Sequence, residues 1–293
     1  MGEREIRERE FFDGRAAEGS RTWHILDRFS KAFYEKSSQG RAWSSFWEAA
    51  DLRGAMVLDY GCGNGEFSKT LARRGARVFG IDISPMLIEQ ARACALELGR
   101  DSIAPEFVVG DAHHTPFDDA MFAYVVGNGV LHHLDLEKAF AEIVRVLKPG
   151  GKAVFLEPMS HHPLLWTLRR LTPKTHTSDE RPLSFADIEL ARRWFPTCRH
   201  REHFLLAVCA APAHLLGKQF ALAVIGALDR LDGQLMRLFR GLRRYAWLTV
   251  MEMQKQAALA PPQPGHTTTV GVHRSQELSI SAEKSSPQTP RVN

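Results

Sequence analysis

The sequence predicts an α/β fold built on a parallel, doubly wound sheet, and three observations predict it. Between about residues 56 and 157, short apolar runs and helical stretches follow one another in five successive βα units. That order makes a parallel sheet with right-handed crossovers. A glycine-rich turn, Gly61, Gly63 and Gly65, joins the first strand to the first helix. Three acids, Asp59, Asp82 and Asp111, stand at or near the ends of three successive strands. Buried charge is costly unless paired, and ligands of open α/β sheets sit at the carboxyl ends of strands.

The organising stretch is MVLDYGCGNGEFSKTLARRGARVFGID, from Met56 to Asp82. It reads as a buried strand from Met56 to Tyr60, the glycine turn, a helix from Glu66 to Arg74, and a second strand from Arg77 to Ile81 that ends on Asp82. A glycine turn before a helix lets a ligand approach bare backbone and the free N–H groups of the helix start. An acid closing the next strand can accept hydrogen bonds from both hydroxyls of a ribose. A nucleoside-containing ligand follows. The turn spaces its glycines GxGxG, whereas the dinucleotide fingerprint is GxGxxG. Asp59, two residues before the first glycine, would repel a pyrophosphate and suits a cationic amino-acid tail.

Further units follow in order. Ser84 caps a helix that has Pro85 in its first turn and stops near Gly99. The third strand, Glu106 to Val109, leads into Gly110-Asp111-Ala112, and the fourth, Phe122 to Val126, into GNGVLHHL. A helix from Leu136 to Leu147 ends at Lys148-Pro149-Gly150-Gly151, where proline and glycine turn the chain into a fifth strand, Lys152 to Glu157.

DYGCGNG followed by GIDIS resembles the class I S-adenosylmethionine-dependent methyltransferases, whose first motif is (V/L)LDxGxGxG, and LKPGGKAVFLEP is typical of the same family. The resemblance covers about residues 50–158 by motif and 199–254 by strand order. It implies a Rossmann-like sheet of seven strands, the last antiparallel between the fifth and sixth, and S-adenosylmethionine as cofactor with S-adenosylhomocysteine as product. It also implies that Asp59, Gly61, Gly63 and Asn64 hold the amino-acid end and Asp82 the ribose. Ile83 and Met86 would meet the adenine ring, Asp111 and the Ala112 amide its polar edge, and Asn128 would pass beside the sulfonium.

Five residues are candidates for acid/base work. His132 and His133 follow the fourth strand, and a histidine can take a proton at neutral pH; an HH pair in this loop also has a structural reading. Glu157, His161 and His162, at the end of the fifth strand, form a second set.

The outer regions carry weaker signals. Residues 1–50 are expected to form a helical cap. Its opening charge run, MGEREIRERE, reads as solvated or frayed, and its aromatics, Phe11, Phe12, Trp23, Phe29, Phe33, Tyr34, Trp43, Phe46 and Trp47 among them, recur near helical spacing. Phe12, Tyr34 and Trp43 are candidates for a lid. The main domain spans 51–256, with substrate-cover insertions at 159–198, rich in arginine and histidine, and at 211–243. The second carries an apolar stripe, Leu216, Phe220, Val224, Leu228, Leu231, Leu235, Leu238 and Leu242, between the sixth strand, about 200–208, and the seventh, about 244–254. Core cover, a dimer surface and an interfacial helix at a membrane are the readings of residues 212–242; a bilayer span is disfavoured. Residues 257–293 read as a disordered tail.

Composition bounds the rest. A chain of 293 residues, 44% hydrophobic and of net charge +4, can bury one sizeable core, and a weak basic excess without a dense patch argues against nucleic acid. Four cysteines without CxxC spacing indicate neither a zinc site nor a disulfide framework, so no metal is expected. With no signal-type segment at the N-terminus, a cytoplasmic monomer or homodimer is expected. The expected activity is methyl transfer to oxygen or nitrogen of a small molecule, hydrophobic or lipid-linked. Carbon methylation in quinone or natural-product biosynthesis is the first alternative, and a non-catalytic cofactor-binding regulator or a nicotinamide oxidoreductase the alternatives of another class.

Overall fold

The central strands are near-continuous apolar runs, and successive side chains along each point to opposite faces of one sheet, so both faces need cover. In the computed structural model, which describes residues 2–18, 37–99, 102–172, 177 and 180–257, the strands are β1 (Met56–Tyr60), β2 (Arg77–Asp82), β3 (Glu106–Val109), β4 (Phe122–Asn128), β5 (Leu147–Pro158), β6 (Thr197–His203) and β7 (Leu248–Gln254). They form a single sheet in the order β3-β2-β1-β4-β5-β7-β6. Strands β1 to β5 pair in parallel, and β7 lies antiparallel between β5 and β6, as the family resemblance implied. The chain runs outward from β1 to β3 and then returns to lay β4 on the other side of β1. This reversal opens a crevice at the carboxyl ends of β1 and β4.

Helices cover both faces. Leu58, Val125, Ala153, Phe155 and Met251 pack on one side with Phe140 and Ile143 of α5 (Leu136–Val146) and Ile188 and Ala191 of α7 (Phe185–Trp194). Val57, Val126, Val154 and Val250 pack on the other with Trp47 of α2 (Ser38–Ala49), Leu71 and Ala72 of α3 (Glu66–Arg73), and Ile225 of α8 (Lys218–Leu238). The remaining helices are α1 (Glu3–Glu18), α4 (Pro85–Ala95) and α6 (Pro163–Leu171). Ser84 caps α4 by accepting from the Leu87 amide at 3.1 Å, with Pro85 in the first turn as expected.

Three sequence expectations are corrected. The opening charge run is the ordered helix α1, whose Glu8 is only 5% exposed and whose Asp13 accepts a hydrogen bond from the Ser84 hydroxyl. Strand β6 starts and ends earlier than expected, at Thr197 and His203, and β7 starts at Leu248 because Arg240–Tyr245 is a 3-10 segment. The face that α8 buries is Ala221, Ile225, Asp229, Asp232 and Met236, while Leu216, Phe220, Leu231 and Leu238 of the expected stripe are exposed. Two acids set that orientation. Asp232 accepts from the amides of Leu205, Leu206 and Ala207 at 2.8, 2.8 and 3.0 Å, and Asp229 pairs with Arg41 of α2 at 3.3 Å. No helix among the described residues is long and apolar enough to cross a membrane. Trp23, Ile25, Leu26, Phe29, Phe33, Tyr34 and the tail from 258 lie outside the described residues.

Replacing Asp232 leaves three backbone N–H groups of the chain after β6 without their acceptor. Asp232→Ala is expected to lower unfolding stability by about 2–4 kcal/mol, since bonds to charged groups and unmet buried donors each cost in that range. Urea denaturation reads this directly; a loss below about 0.5 kcal/mol, the usual range for surface positions, would mean that leucine packing alone seats α8.

Candidate functional site

A cavity of about 210 Å³ occupies the crevice at the strand ends. Its floor is Gly61 and Gly63 of the turn; its walls are Ile81, Asp82 and Ile83 after β2, Gly110, Asp111, Ala112 and His113 after β3, and Asn128, Gly129 and Val130 after β4. Leu87, His133 and Leu134 complete the sides, and Arg4, Glu5, Glu8 and Phe12 of α1 form the roof.

The turn needs glycine for two separate reasons. Gly61 has φ +74°, and a Cβ there would lie 2.5 Å from the Val130 side chain. Gly63 has φ +52°, and a Cβ there would meet nothing within 4 Å, so its backbone faces open space. Asp82 fixes the turn from the side: it accepts from the Gly63 amide at 2.9 Å through one oxygen and from the Ser84 amide at 3.0 Å through the other. Burial pushes the Asp82 carboxyl above its ordinary range, although the Ser84 and Gly63 amides pull the other way.

Asp111 accepts from both the amide and Nδ1 of His113 at 2.8 Å, and His113 Nε2 accepts from the Asp135 amide at 3.0 Å. The ring therefore carries its hydrogen on Nδ1. The Tyr60 hydroxyl donates to the carbonyl of Ala112 and pins the same loop.

Behind β4 the organising group is Glu157, fully buried. One of its oxygens accepts from the amides of Val130 and Leu131 at 2.9 and 2.8 Å, and the other from His132 Nδ1 at 2.7 Å. His132 Nε2 lies 3.5 Å from Glu180, which Arg169 also holds at 2.7 Å. Burial alone would lower the His132 pKa; the two carboxylates outweigh it and hold it at about 9. Burial likewise would raise Glu180, but His132 and Arg169 draw it well below the usual carboxylate range.

The expected site residues thus divide. Gly61, Gly63, Asp82, Ile83, Asp111, Ala112, Asn128 and His133 meet around one cavity. Seven others do not reach it. Asp59 is buried beneath the turn, where the Ser68 hydroxyl donates to it at 2.5 Å and burial raises its pKa to about 7. Asn64 faces solvent. Met86 is 37% exposed, and Leu87 lines the cavity instead, because one residue along a helix turns the side chain by about 100°. Glu157 and His132 are committed to each other as a buried pair outside the cavity lining. His161 is exposed and bonded to Ser160 at 2.7 Å. His162 is buried, with its Nε2 2.9 Å from the Leu205 carbonyl oxygen.

Arg4, Glu5, Glu8 and His113 were not among the expected site residues. The Asp-x-His spacing at 111–113 was the signal for His113. The spacing of Glu5, Glu8 and Phe12 at three and four residues was the signal for the roof. Two groups bring metal-ligating atoms within 4.8 Å of one another: His132, His133 and Glu180, and Glu5, Asp111 and His113. In both, the first-named or last-named histidine, His132 or His113, already has its two nitrogens engaged within the protein.

A family model described as a methyltransferase domain matches residues 58–155, the stretch that holds β1 to β5 and most of the cavity wall. The chain is 36% identical over 119 residues to the demethylmenaquinone methyltransferase of Lactococcus lactis subsp. lactis, 39% of this chain and 46% of that protein. It is 39% identical over 116 residues to the O-methyltransferase cnsE of Penicillium expansum, 38% of this chain and 41% of that one. The chain therefore spans less than half the length of these relatives in its match. Among solved structures, the magnesium protoporphyrin IX methyltransferase of Synechocystis PCC 6803, with S-adenosylhomocysteine bound, superposes with a TM-score of 0.55 at 17% identity, over 87% of this chain and 100% of that one. The geranyl diphosphate C-methyltransferase of Streptomyces coelicolor A3(2) gives 0.52 at 19% identity, over 74% and 79%. At these identities the likeness is one of fold.

The His132 pair gives the chain a pH signature. A histidine pKa raised from about 6.5 to about 9 contributes stability that is full below the unfolded value and lost as pH rises through the folded one. Roughly 2–4 kcal/mol should disappear between about pH 6.5 and pH 9.5. Urea midpoints across that window should fall in the wild type more steeply than in His132→Gln; parallel curves would mean that the pair is not charged.

Proposed function

We propose that this chain transfers the methyl group of S-adenosylmethionine to an oxygen or nitrogen of a small, hydrophobic acceptor. The observation that carries the reading is the cavity itself. Bare backbone at Gly63 faces open space between Asp82 and Asp111, at the switch point of the sheet. This donor and acceptor set fits a sulfonium nucleoside: Gly61 and Gly63 would hold its amino-acid end, Asp82 its ribose, Ile83 and Leu87 the adenine faces, Asp111 and Ala112 the adenine edge, and Asn128 the neighbourhood of the sulfur. When bound, S-adenosylmethionine supplies a methyl group that bonds to the acceptor as the carbon–sulfur bond breaks, the electron pair stays on sulfur and S-adenosylhomocysteine results.

The protein's share is positioning and exclusion of water. Holding nucleophile and methyl in line supplies most of the acceleration in such a displacement, and Arg4, Glu5, Glu8 and Phe12 of α1 cover part of the cavity. The family match and the GxGxG spacing speak against a nicotinamide cofactor. Relatives whose names place them on demethylmenaquinone and in ubiquinone biosynthesis support a hydrophobic, quinone-like acceptor. Phe220, Leu231 and Leu238 are exposed on α8 beside Arg230 and Arg237, which supports contact with an anionic lipid surface carrying such an acceptor.

Calorimetry with S-adenosylhomocysteine is expected to detect binding to the wild-type chain, and Asp82→Ala to weaken it about 10–100-fold, the worth of hydrogen bonds to a charged group. Thermal unfolding of the variant serves as the control for folding. No binding by the wild type, or equal binding by a folded Asp82→Ala, would overturn the assignment.

A further inference from the structure

The roof helix brings one charged group to the cavity that covering alone does not require. Glu8 is 5% exposed, and its Oε1 accepts from the Thr177 hydroxyl at 2.7 Å. Its Oε2 lies 3.1 Å from His133 Nδ1. Neither of these two facing atoms meets hydrogen-bond geometry with any described partner, and both are shielded from solvent. A buried carboxylate oxygen and a buried imidazole nitrogen left in this way are costly. In unliganded sites, catalytic hydrogen bonds are often misaligned in this manner and tighten when substrate closes the pocket.

His133 is otherwise held firmly. Arg4 donates to its carbonyl at 2.7 Å, and Phe12 stands edge-on to its ring at 5.3 Å between centroids. The residue lines the cavity with 13% of its side chain exposed, and because Nδ1 is shielded, Nε2 is the nitrogen through which the ring can meet a ligand. His132, four ångströms away between ring centroids (4.1 Å), is spent on Glu157 and Glu180.

We propose that Glu8 is a positioning residue for His133: it holds the imidazole with hydrogen on Nδ1, so that Nε2 is bare and takes the proton of an O–H or N–H acceptor in the cavity. The inference rests on the methyl-transfer reading and narrows the acceptor to a protic one, such as a phenol or hydroquinone hydroxyl. The acceptor's O–H bond breaks as its oxygen bonds to the methyl carbon. The proton forms a bond to Nε2, the ring becomes imidazolium, and Glu8 supplies the opposite charge. Release of that proton to water restores the neutral ring.

Nitrogen NMR of the full-length chain labelled with 15N-histidine tests this, with and without S-adenosylhomocysteine, at a pH above the ordinary histidine range. The His133 signals are identified by their absence in His133→Gln. The wild type should show the Nδ1–H form as the majority, although an unconstrained imidazole prefers Nε2–H. Glu8→Leu, which removes the acceptor, should make Nδ1–H the minority, while Glu8→Gln, whose amide oxygen can still accept, should keep it. A wild-type ring protonated on Nε2, or a tautomer ratio unmoved in folded Glu8→Leu, would overturn the proposal. Should Glu8→Leu fail to fold, the wild-type tautomer decides. Calorimetry separates the two readings: a wild type that does not bind S-adenosylhomocysteine sinks methyl transfer, whereas binding with the wrong tautomer sinks the role of Glu8 alone.

Discussion

The loops around the cavity hang on carboxylates, two at the carboxyl ends of β2 and β5 and one on α5. Asp82 gathers the amides of Gly63 and Ser84, Glu157 those of Val130 and Leu131, and Glu142 the amide and hydroxyl of Thr115. Each exchange answers two costs at once, because an irregular loop exposes donors that need acceptors and a buried carboxylate needs donors. Counter-charge decides which acids carry their ionisation easily. Burial is the largest influence on Asp82 and Asp232, whose donors among the described residues are backbone amides, and both are raised; on Glu142 burial is outweighed by Arg145 and Thr115, and it is lowered.

This arrangement explains how the turn at Gly61 stays open. Val130 fills the space where a Gly61 side chain would stand, and Glu157 fixes Val130 by its amide. The β1 turn and the β4 loop are thereby locked to each other through a glutamate on β5. Asp59 works from below, bonded to Ser68 in the first turns of α3, and contributes shape where a facing charge was expected.

What was legible in the residues follows from the same physics. Glycines with positive φ and short apolar strands leave local signatures, so the turn, the strand succession and the acids at strand ends can be read directly. The fate of a polar side chain depends on what packs over it, and that is non-local. Glu3, Arg4, Glu5, Arg7, Glu8 and Arg9 look like a solvated run, and only the docking of α1 over the crevice divides them into a roof face and a solvent face. The leucines of α8 promised a stripe, while Asp229 and Asp232 chose the buried side, because an aspartate with three amide donors outweighs an exposed leucine or two.

The two adjacent histidines show how far neighbours can diverge. They share one 3-10 turn, with ring centroids 4.1 Å apart, yet meet different partners. His132 turns inward, where it and Arg169 balance Glu157 and Glu180. His133 turns to the cavity and lies beside that buried positive charge, so a second proton on the pair would be repelled unless another anion stood close. The carboxylate that faces its Nδ1, at 3.1 Å, is Glu8, brought by the roof helix from 125 positions away in the chain. A covering of apolar residues would exclude water equally well and leave His133 without that facing carboxylate. The roof of this cavity is therefore constrained in charge as well as in shape, and the segment that looks least structured in the sequence governs what the ring of His133 can do.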